Sequence, residues 1–377
     1  MDANHGSCIF NVSLNNLIKN LDSQNEVQFV DFLNTGYRLN EIFRTLKIHK
    51  AIPFYNFQRY LTLNHVTQEN LSIEKIINLH NREGLSEDLN ARKFDTLIAG
   101  KVIWEVSDDS LFRFPNIFWM SKRINAKKIA YAVSGHLTNL ETFRQHKKQV
   151  FDILCDYRLI GVRDKMTQIM MEEAGIDKVL PVFHITDPAF LYEQKPVDSN
   201  ALFAKFGISK ERPILGMLYY GKEKVSEKVC KHFHQKGYQI LNFNMLNPYA
   251  DLNIGHLVDI DEWVELIKHL DFCITDRFHV SVFCLRENIP FVAIEPYPPK
   301  TLLNSKIFSL LESFKVENTL YQDTYQENFD VDQFLYKCDE LKANWNAELS
   351  KEIQAMLEVN NGQQKEFLKL VKKCIEE

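Results

Sequence analysis

Short apolar runs alternate with helix-like segments along most of this chain, and the alternation starts afresh near its middle. In the first half the runs are VQFVDFL (27 to 33), FDTLIAG (94 to 100), KKIAYAVS (127 to 134) and YRLIGVRD (157 to 164). Between them lie segments of helical periodicity such as LTNLETFRQHKKQVFDILC and KMTQIMMEEAG, the second closing on Gly175, where a helix C-cap belongs. Alternation of this kind is the mark of a parallel sheet covered by helices on both faces.

A polar stretch through QKPVDSN and SKERP, near residues 192 to 213, marks a junction. The pattern then restarts: PILGMLYYG and YQILNFN read as strands, KVSEKVCKHFHQKG as a helix ended by Gly237, and DEWVELIKHL as a helix with acids in its first turn, where they complement the helix dipole. DFCIT and PFVAIE complete a second parallel set. The expectation is an α/β chain of two doubly wound, Rossmann-like domains, residues 1–192 and 193–345, facing a cleft. Residues 346–377 are expected as a helical C-terminal segment packing back on the domains. A membrane-surface helix fits this last segment less well, because its polar face mixes Glu with Lys.

Composition narrows the classes of partner. Of 377 residues 45% are hydrophobic and 25% charged, as in an ordinary globular protein large enough for two cores. No apolar run approaches the roughly 20 residues that span a bilayer, and MDANHGSCIF lacks a signal-peptide pattern, so a cytoplasmic location is expected. Seven cysteines without a CxxC pair argue against a disulfide framework and against a zinc ribbon. A net charge of −5 without a long basic run gives a nucleic-acid partner no electrostatic support. A small ligand is the better expectation.

Where such a ligand would bind is suggested by DRFH, residues 276 to 279, wedged between the strand DFCIT and the helix that VSVFCLREN begins. Ligands of open α/β sheets bind at the carboxyl ends of the strands, beside helix N-termini that offer unpaired N–H groups to an anion. Arg277 adds a planar fork of donors suited to carboxylate or phosphate. His279 is able to give or take a proton near neutral pH. Each alone has a plain structural reading, His279 as a helix-start cap and Arg277 as the partner of a neighbouring acid. In the first half YRLIGVRD again runs a strand into an arginine, Arg163, so the two halves together can clamp one dianionic ligand. Asp164 reads as the N-cap of the following helix.

Further polar candidates are Ser134, which ends KKIAYAVS and either meets substrate or allows close packing, and Asp187, which precedes a proline and is suited to shaping a turn. His232 and His234 stand two apart on a helix, hence on different faces, which speaks against a metal pair. The chain has no GxGxxG, Walker A or GxSxG motif.

Taken in order, the segments resemble the polysaccharide pyruvyl transferases. NHGSCIFNVSLNNLIKNL is similar to that family's Asn-x-Gly turn and helix, FDTLIAG with VIW to its Gly-Ser-Asp strand, KKIAYAVSG to its Tyr-Ala-x-Ser strand, GVRD to its Arg strand end and TDPAFL to its Asp-Pro turn. DEWVELIKHLDFCITDRFHVSVFCLRENIPFVAI resembles its most diagnostic block, with Arg-x-His on Arg277 and His279, and NSKIFSLLESF its Ser-Arg-x-x-x-Leu-Leu segment. The chain departs from the family at GKVIW, which lacks the acid, at Lys306, where Arg is common, and at Val280, where Gly is frequent. The strand expected before the Asn-x-Gly turn has no counterpart, which implies a divergent member or a trimmed start.

The resemblance implies a GT-B-like pair of domains and transfer of pyruvate from phosphoenolpyruvate, the donor substrate, onto a sugar of a cell-surface polysaccharide or exopolysaccharide, or its precursor, as a ketal. It implies no cofactor and no metal. His279 and Arg277 are the implied catalytic residues, with Arg163, Arg277, Ser134, Asp187 and Lys306 binding substrate. The implied partners are phosphoenolpyruvate, a sugar or glycan acceptor, and peripheral contact with membrane-bound glycan assembly machinery. A sugar-nucleotide-dependent glycosyltransferase of the same architecture, or a degenerate glycan-binding member, are the alternatives.

Overall fold

The structure, a computed structural model, describes residues 4–31, 53–75, 82–102, 104–108, 113–218, 223–243, 246–298, 301–345 and 347–377. Phe32 and Leu33 of the first expected strand, Ile103 of GKVIW, Tyr219 to Gly221 and Asn244 lie outside them.

In chain order the first half comprises α1 (His5–Leu21), β1 (Phe29–Asp31), α2 (Pro53–Asn70), β2 (Ile73–Lys75), α3 (Arg82–Ala91), β3 (Thr96–Val102), β4 (Lys127–Ser134), α4 (Leu140–Leu154), β5 (Leu159–Val162), α5 (Lys165–Ala174) and β6 (Val182–His184). The second half runs α6 (Ser199–Phe206), β7 (Ile214–Leu218), α7 (Glu223–Gln235), β8 (Gln239–Asn242), β9 (Leu252–Asn253), α8 (Ile260–Lys268), β10 (Phe272–Thr275), α9 (Phe278–Arg286), β11 (Phe291–Ile294), α10 (Lys306–Ser313), α11 (Glu317–Leu320), β12 (Tyr321–Gln322), α12 (Val331–Ala343) and α13 (Ala347–Glu376).

Strands β3 to β6 pair in sequence order as one parallel sheet. Its two faces are separately filled. Ala130, Val133, Ile160 and Val162 pack with Phe143, Val150, Met166 and Met170 of α4 and α5. Ile129, Tyr131 and Leu159 pack with Phe10, Leu14 and Ile18 of α1 and with Phe367, Leu368 and Val371 of α13. The expected helix KMTQIMMEEA is α5, with Asp164 as its N-cap and Gly175 closing it at φ 75°, a left-handed conformation that glycine adopts without a Cβ penalty. VQFVDFL behaves differently from expectation: β1 leaves the main sheet and pairs with β2 in a separate two-stranded sheet. A partner strand of three residues is too short to show periodicity in a sequence.

The second sheet has the order β12-β11-β10-β7-β8-β9, all parallel. Counted from β7 this is the Rossmann order, and the chain reverses direction between β7 and β10. Strands β7, β8, β10 and β11 are buried along their whole length, which is why they read as continuous apolar runs. The turn after β10, carrying Asp276 and Arg277, therefore lies at the topological switch point.

Two helices join the halves into the GT-B-like arrangement. Helix α1 puts Cys8, Ile9 and Val12 into the core of the second sheet and Phe10, Leu14 and Ile18 into that of the first. The expected helical C-terminal segment is α13, one continuous helix of 30 residues. At 1.5 Å per residue it is about 45 Å long, enough to place Ile353 and Leu357 in the second core and Phe367, Leu368 and Val371 in the first. No helix among the described residues is long and apolar enough to cross a membrane.

Candidate active site

The facing carboxyl edges of the two sheets hold most of the residues singled out in the sequence. Arg163 follows β5, and its side chain, 3% exposed, is ion-paired to the fully buried Asp187. Its guanidinium lies 4.7 Å from the Phe278 ring centroid, a cation–π contact with the second domain. His279, in the first turn of α9, brings Nε2 to 3.6 Å from Asp187 Oδ2, ion-pair range just beyond a hydrogen bond. Asp187 also caps the 3-10 turn Pro188–Leu191 by accepting from Ala189 N at 3.0 Å. A proline next to the acid suggested the turn; nothing local signalled that its carboxylate would join Arg163 of the first domain to His279 of the second.

Arg277 occupies the N-cap position of α9 without capping it through its side chain. Its backbone N–H donates to Thr275 Oγ1 at 3.0 Å and its Nε is 2.8 Å from Asp276 Oδ1, leaving the side chain 28% exposed. Lys306 opens α10, with Ser305 as the N-cap, and its ammonium stands 5.9 Å from the Phe278 ring. No acceptor among the described residues bonds to it. Ser134 ends β4, fully buried, with Oγ 3.1 Å from His136 Nδ1. The backbone N–H of Arg163 donates to Val133 O at 3.1 Å, so Ser134 lies beside the Arg163 strand end.

The electrostatics of this group follow from three cations gathered at one partly buried place. Burial, with Arg163 and Arg277 close by, brings Lys306 down from its ordinary 10.5 to about 8; Glu295 and Glu105 oppose the change. Burial lowers His279 and Asp187 works against that. Burial would raise Asp187, but the His279 and Arg163 charges outweigh it and bring the carboxyl to about 2. Among the described residues Arg163 Nε and His279 Nε2 are buried polar atoms with no hydrogen-bond partner. Buried polar groups are almost always paired, so two such nitrogens at one place are available to a bound anion.

Several participants were not evident from the sequence. Gly6 of α1 is one: a Cβ there would meet His279 Nδ1 at 2.1 Å, so only glycine lets the helix pack against the imidazole. His136 is another, buried and lowered well below its ordinary value first by burial, then by Lys306 and Arg163. Glu105, directly after GKVIW, is raised by burial against the pull of Lys306, so an acid does lie near this strand end. Trp104 of GKVIW is a core residue, stacked on Trp119 at 5.0 Å between centroids. Asn304 Nδ2 donates across the cleft to His136 O at 2.6 Å and Thr138 O at 3.1 Å, and Lys165 N donates to Ser309 Oγ at 3.0 Å. His232 and His234 lie apart from the cleft, each with its own carboxylate, Asp339 at 3.0 Å and Asp251 at 3.1 Å. Among the described residues no three His, Cys, Asp or Glu side chains gather as a metal site.

Comparison with known proteins yields one family and a set of folds. The sequence model of the polysaccharide pyruvyl transferase family matches residues 14–296. That span includes Arg163, Asp187, Arg277 and His279 and ends short of Lys306. No curated protein matches the chain. Among solved structures, S. aureus MnaA, determined with UDP, is similar with 11% identity and a TM-score of 0.52, over 93% of this chain and 88% of that one. A Listeria monocytogenes protein assigned as a UDP-N-acetylglucosamine 2-epimerase has 9% identity and a TM-score of 0.55, over 93% and 88%. At these identities the likeness is one of fold.

Proposed function

Because the chain belongs to the polysaccharide pyruvyl transferase family, we propose that it transfers pyruvate from phosphoenolpyruvate to a sugar acceptor, forming a cyclic ketal at the cleft between its domains. The observation that carries the donor assignment is the cationic group of Arg163, Arg277 and Lys306 beside two buried nitrogens, Arg163 Nε and His279 Nε2, that lack hydrogen-bond partners among the described residues. Phosphoenolpyruvate bears a carboxylate and a phosphate, and charge-assisted bonds to both suit these donors.

In this mechanism His279 gives a proton to the methylene carbon, and C2 becomes an electrophile that a sugar hydroxyl attacks. The second hydroxyl then displaces phosphate and closes the ketal, so one phosphate leaves as two C–O bonds form. Burial keeps free His279 below its ordinary value; the negative charge of bound phosphoenolpyruvate, added to Asp187, raises it toward the protonated donor. His136 is kept neutral by burial and by Lys306 and Arg163, and with Ser134 it can accept a hydroxyl proton from the sugar.

Arg277→Ala is expected to raise KM for phosphoenolpyruvate. His279→Ala and His279→Gln are expected to bind it normally while kcat falls by about 10²–10⁴. Phosphate release with a panel of sugar acceptors, together with calorimetric affinities, reads both. Parent-like turnover by His279→Gln would remove His279 as the donor. Stabilisation by UDP-sugars and not by phosphoenolpyruvate in thermal melts would favour the nucleotide-sugar alternative.

A further inference from the structure

The turn that carries Asp187 is held from behind by the long C-terminal helix. Gln364 of α13 is fully buried. Thr186 Oγ1 donates to Gln364 Oε1 at 3.0 Å, across 178 residues of sequence. Gln364 Nε2 donates to the Tyr131 hydroxyl at 3.0 Å and to Thr186 O at 3.3 Å. Thr186 is thus fixed at both its side chain and its carbonyl, and the next residue is Asp187.

Packing does not explain a glutamine here. Its neighbours on the same helix are Phe367, Leu368 and Val371, all in the apolar core of the first sheet, where leucine would serve. A buried amide is unfavourable unless its bonds are made, and when they are made they specify one arrangement. The arrangement specified is that of the Asp187 carboxylate, the only acid in ion-pair range of both Arg163 and His279 among the described residues. The helix is also rooted in the other domain through Ile353 and Leu357, with Asn360 Nδ2 donating to Ser313 O at 3.4 Å. His279 comes from the second domain and Asp187 from the first, so a helix fastened to both governs how they meet.

We propose that Gln364 is a positioning residue for the proton donor, acting through Thr186 on the Asp187 carboxylate and through that on His279. The role in turnover rests on His279 being the donor to phosphoenolpyruvate. The contact itself does not.

Gln364→Leu and Thr186→Val in the full chain test it, the second keeping the shape of the side chain while removing its donor. Beside Asp187, the charged groups facing His279 are Arg163 and Lys306, both cations. With Asp187 loosened, His279 should titrate at lower pH than in the parent, read from its ring resonances by NMR without phosphoenolpyruvate. In turnover, kcat should fall about 10–100-fold, as for misplacement by about an ångström, with KM for phosphoenolpyruvate within about twofold of the parent, the usual mark of an effect confined to the transition state. A residue with a merely structural role would lower the melting temperature and leave the His279 titration unmoved. Parent-like titration in the folded Thr186→Val variant overturns the proposal, even where Gln364→Leu does not fold. If the parent itself releases no phosphate from phosphoenolpyruvate, the reaction assignment fails, and the ring titration still decides the relay.

Discussion

Replacing Gly6 by alanine is a test of the site made from outside it. The new Cβ would lie 2.1 Å from His279 Nδ1, 2.4 Å from Cγ and 2.8 Å from Cβ. An ordinary contact is about 3.5 Å, so the ring must retreat by about 1.4 Å, or α1 must lift from both cores it joins. A displacement of that size resets the 3.6 Å separation between His279 Nε2 and Asp187. Overpacking costs about 1–3 kcal/mol, and alanine regains up to about 1 kcal/mol over glycine in a helix. The melting temperature should therefore fall modestly while kcat falls about 100-fold. Melting curves and phosphate release measured on Gly6→Ala, alone and combined with His279→Ala, provide the comparison. In the double variant the two shortest contacts are gone, so the stability penalty of Gly6→Ala should shrink. A Gly6→Ala protein with parent kcat would refute the claim that α1 pins the imidazole.

Two further outcomes follow from the charges. Arg163→Ala leaves Asp187 buried with its permanent countercharge gone, and breaking a buried pair costs about 3–5 kcal/mol; urea unfolding at neutral pH should show the loss, and an unchanged midpoint would mean the pair is not maintained in solution. Burial, with Arg163 and Arg277, brings Lys306 down to about 8, so affinity for phosphoenolpyruvate should be full below that pH and decline as pH rises through it, whereas Lys306→Arg, which stays charged, should flatten the profile in calorimetry; an equal decline in both would place the titrating group elsewhere.

The architecture was legible because it rests on periodicity. Strands β7, β8, β10 and β11 are buried on both faces and so appear as unbroken apolar runs. Helix α5 announced its start with Asp164 and its end with Gly175. The candidate site was legible in position where one strand end carries an unusual residue, as at Arg163 and at Arg277 with His279. It was not legible where the significant neighbour is distant in the chain. TDPAFL showed a turn but not the two charges that Asp187 joins, and the Asn-x-Gly turn that contains Gly6 gave no sign of the imidazole it packs against.

The sequence by itself determined that Arg163 ends one buried strand and that Arg277 and His279 follow another, since strand and helix signals are local. It could not determine which of those residues meet. The pairing of Asp187 with Arg163 and His279 joins two domains, and the hold of Gln364 on Thr186 spans 178 residues. Such contacts depend on where α1 and α13 bring the two cores together. That arrangement is set by the packing of apolar side chains from both domains at once, which no single stretch of the chain encodes.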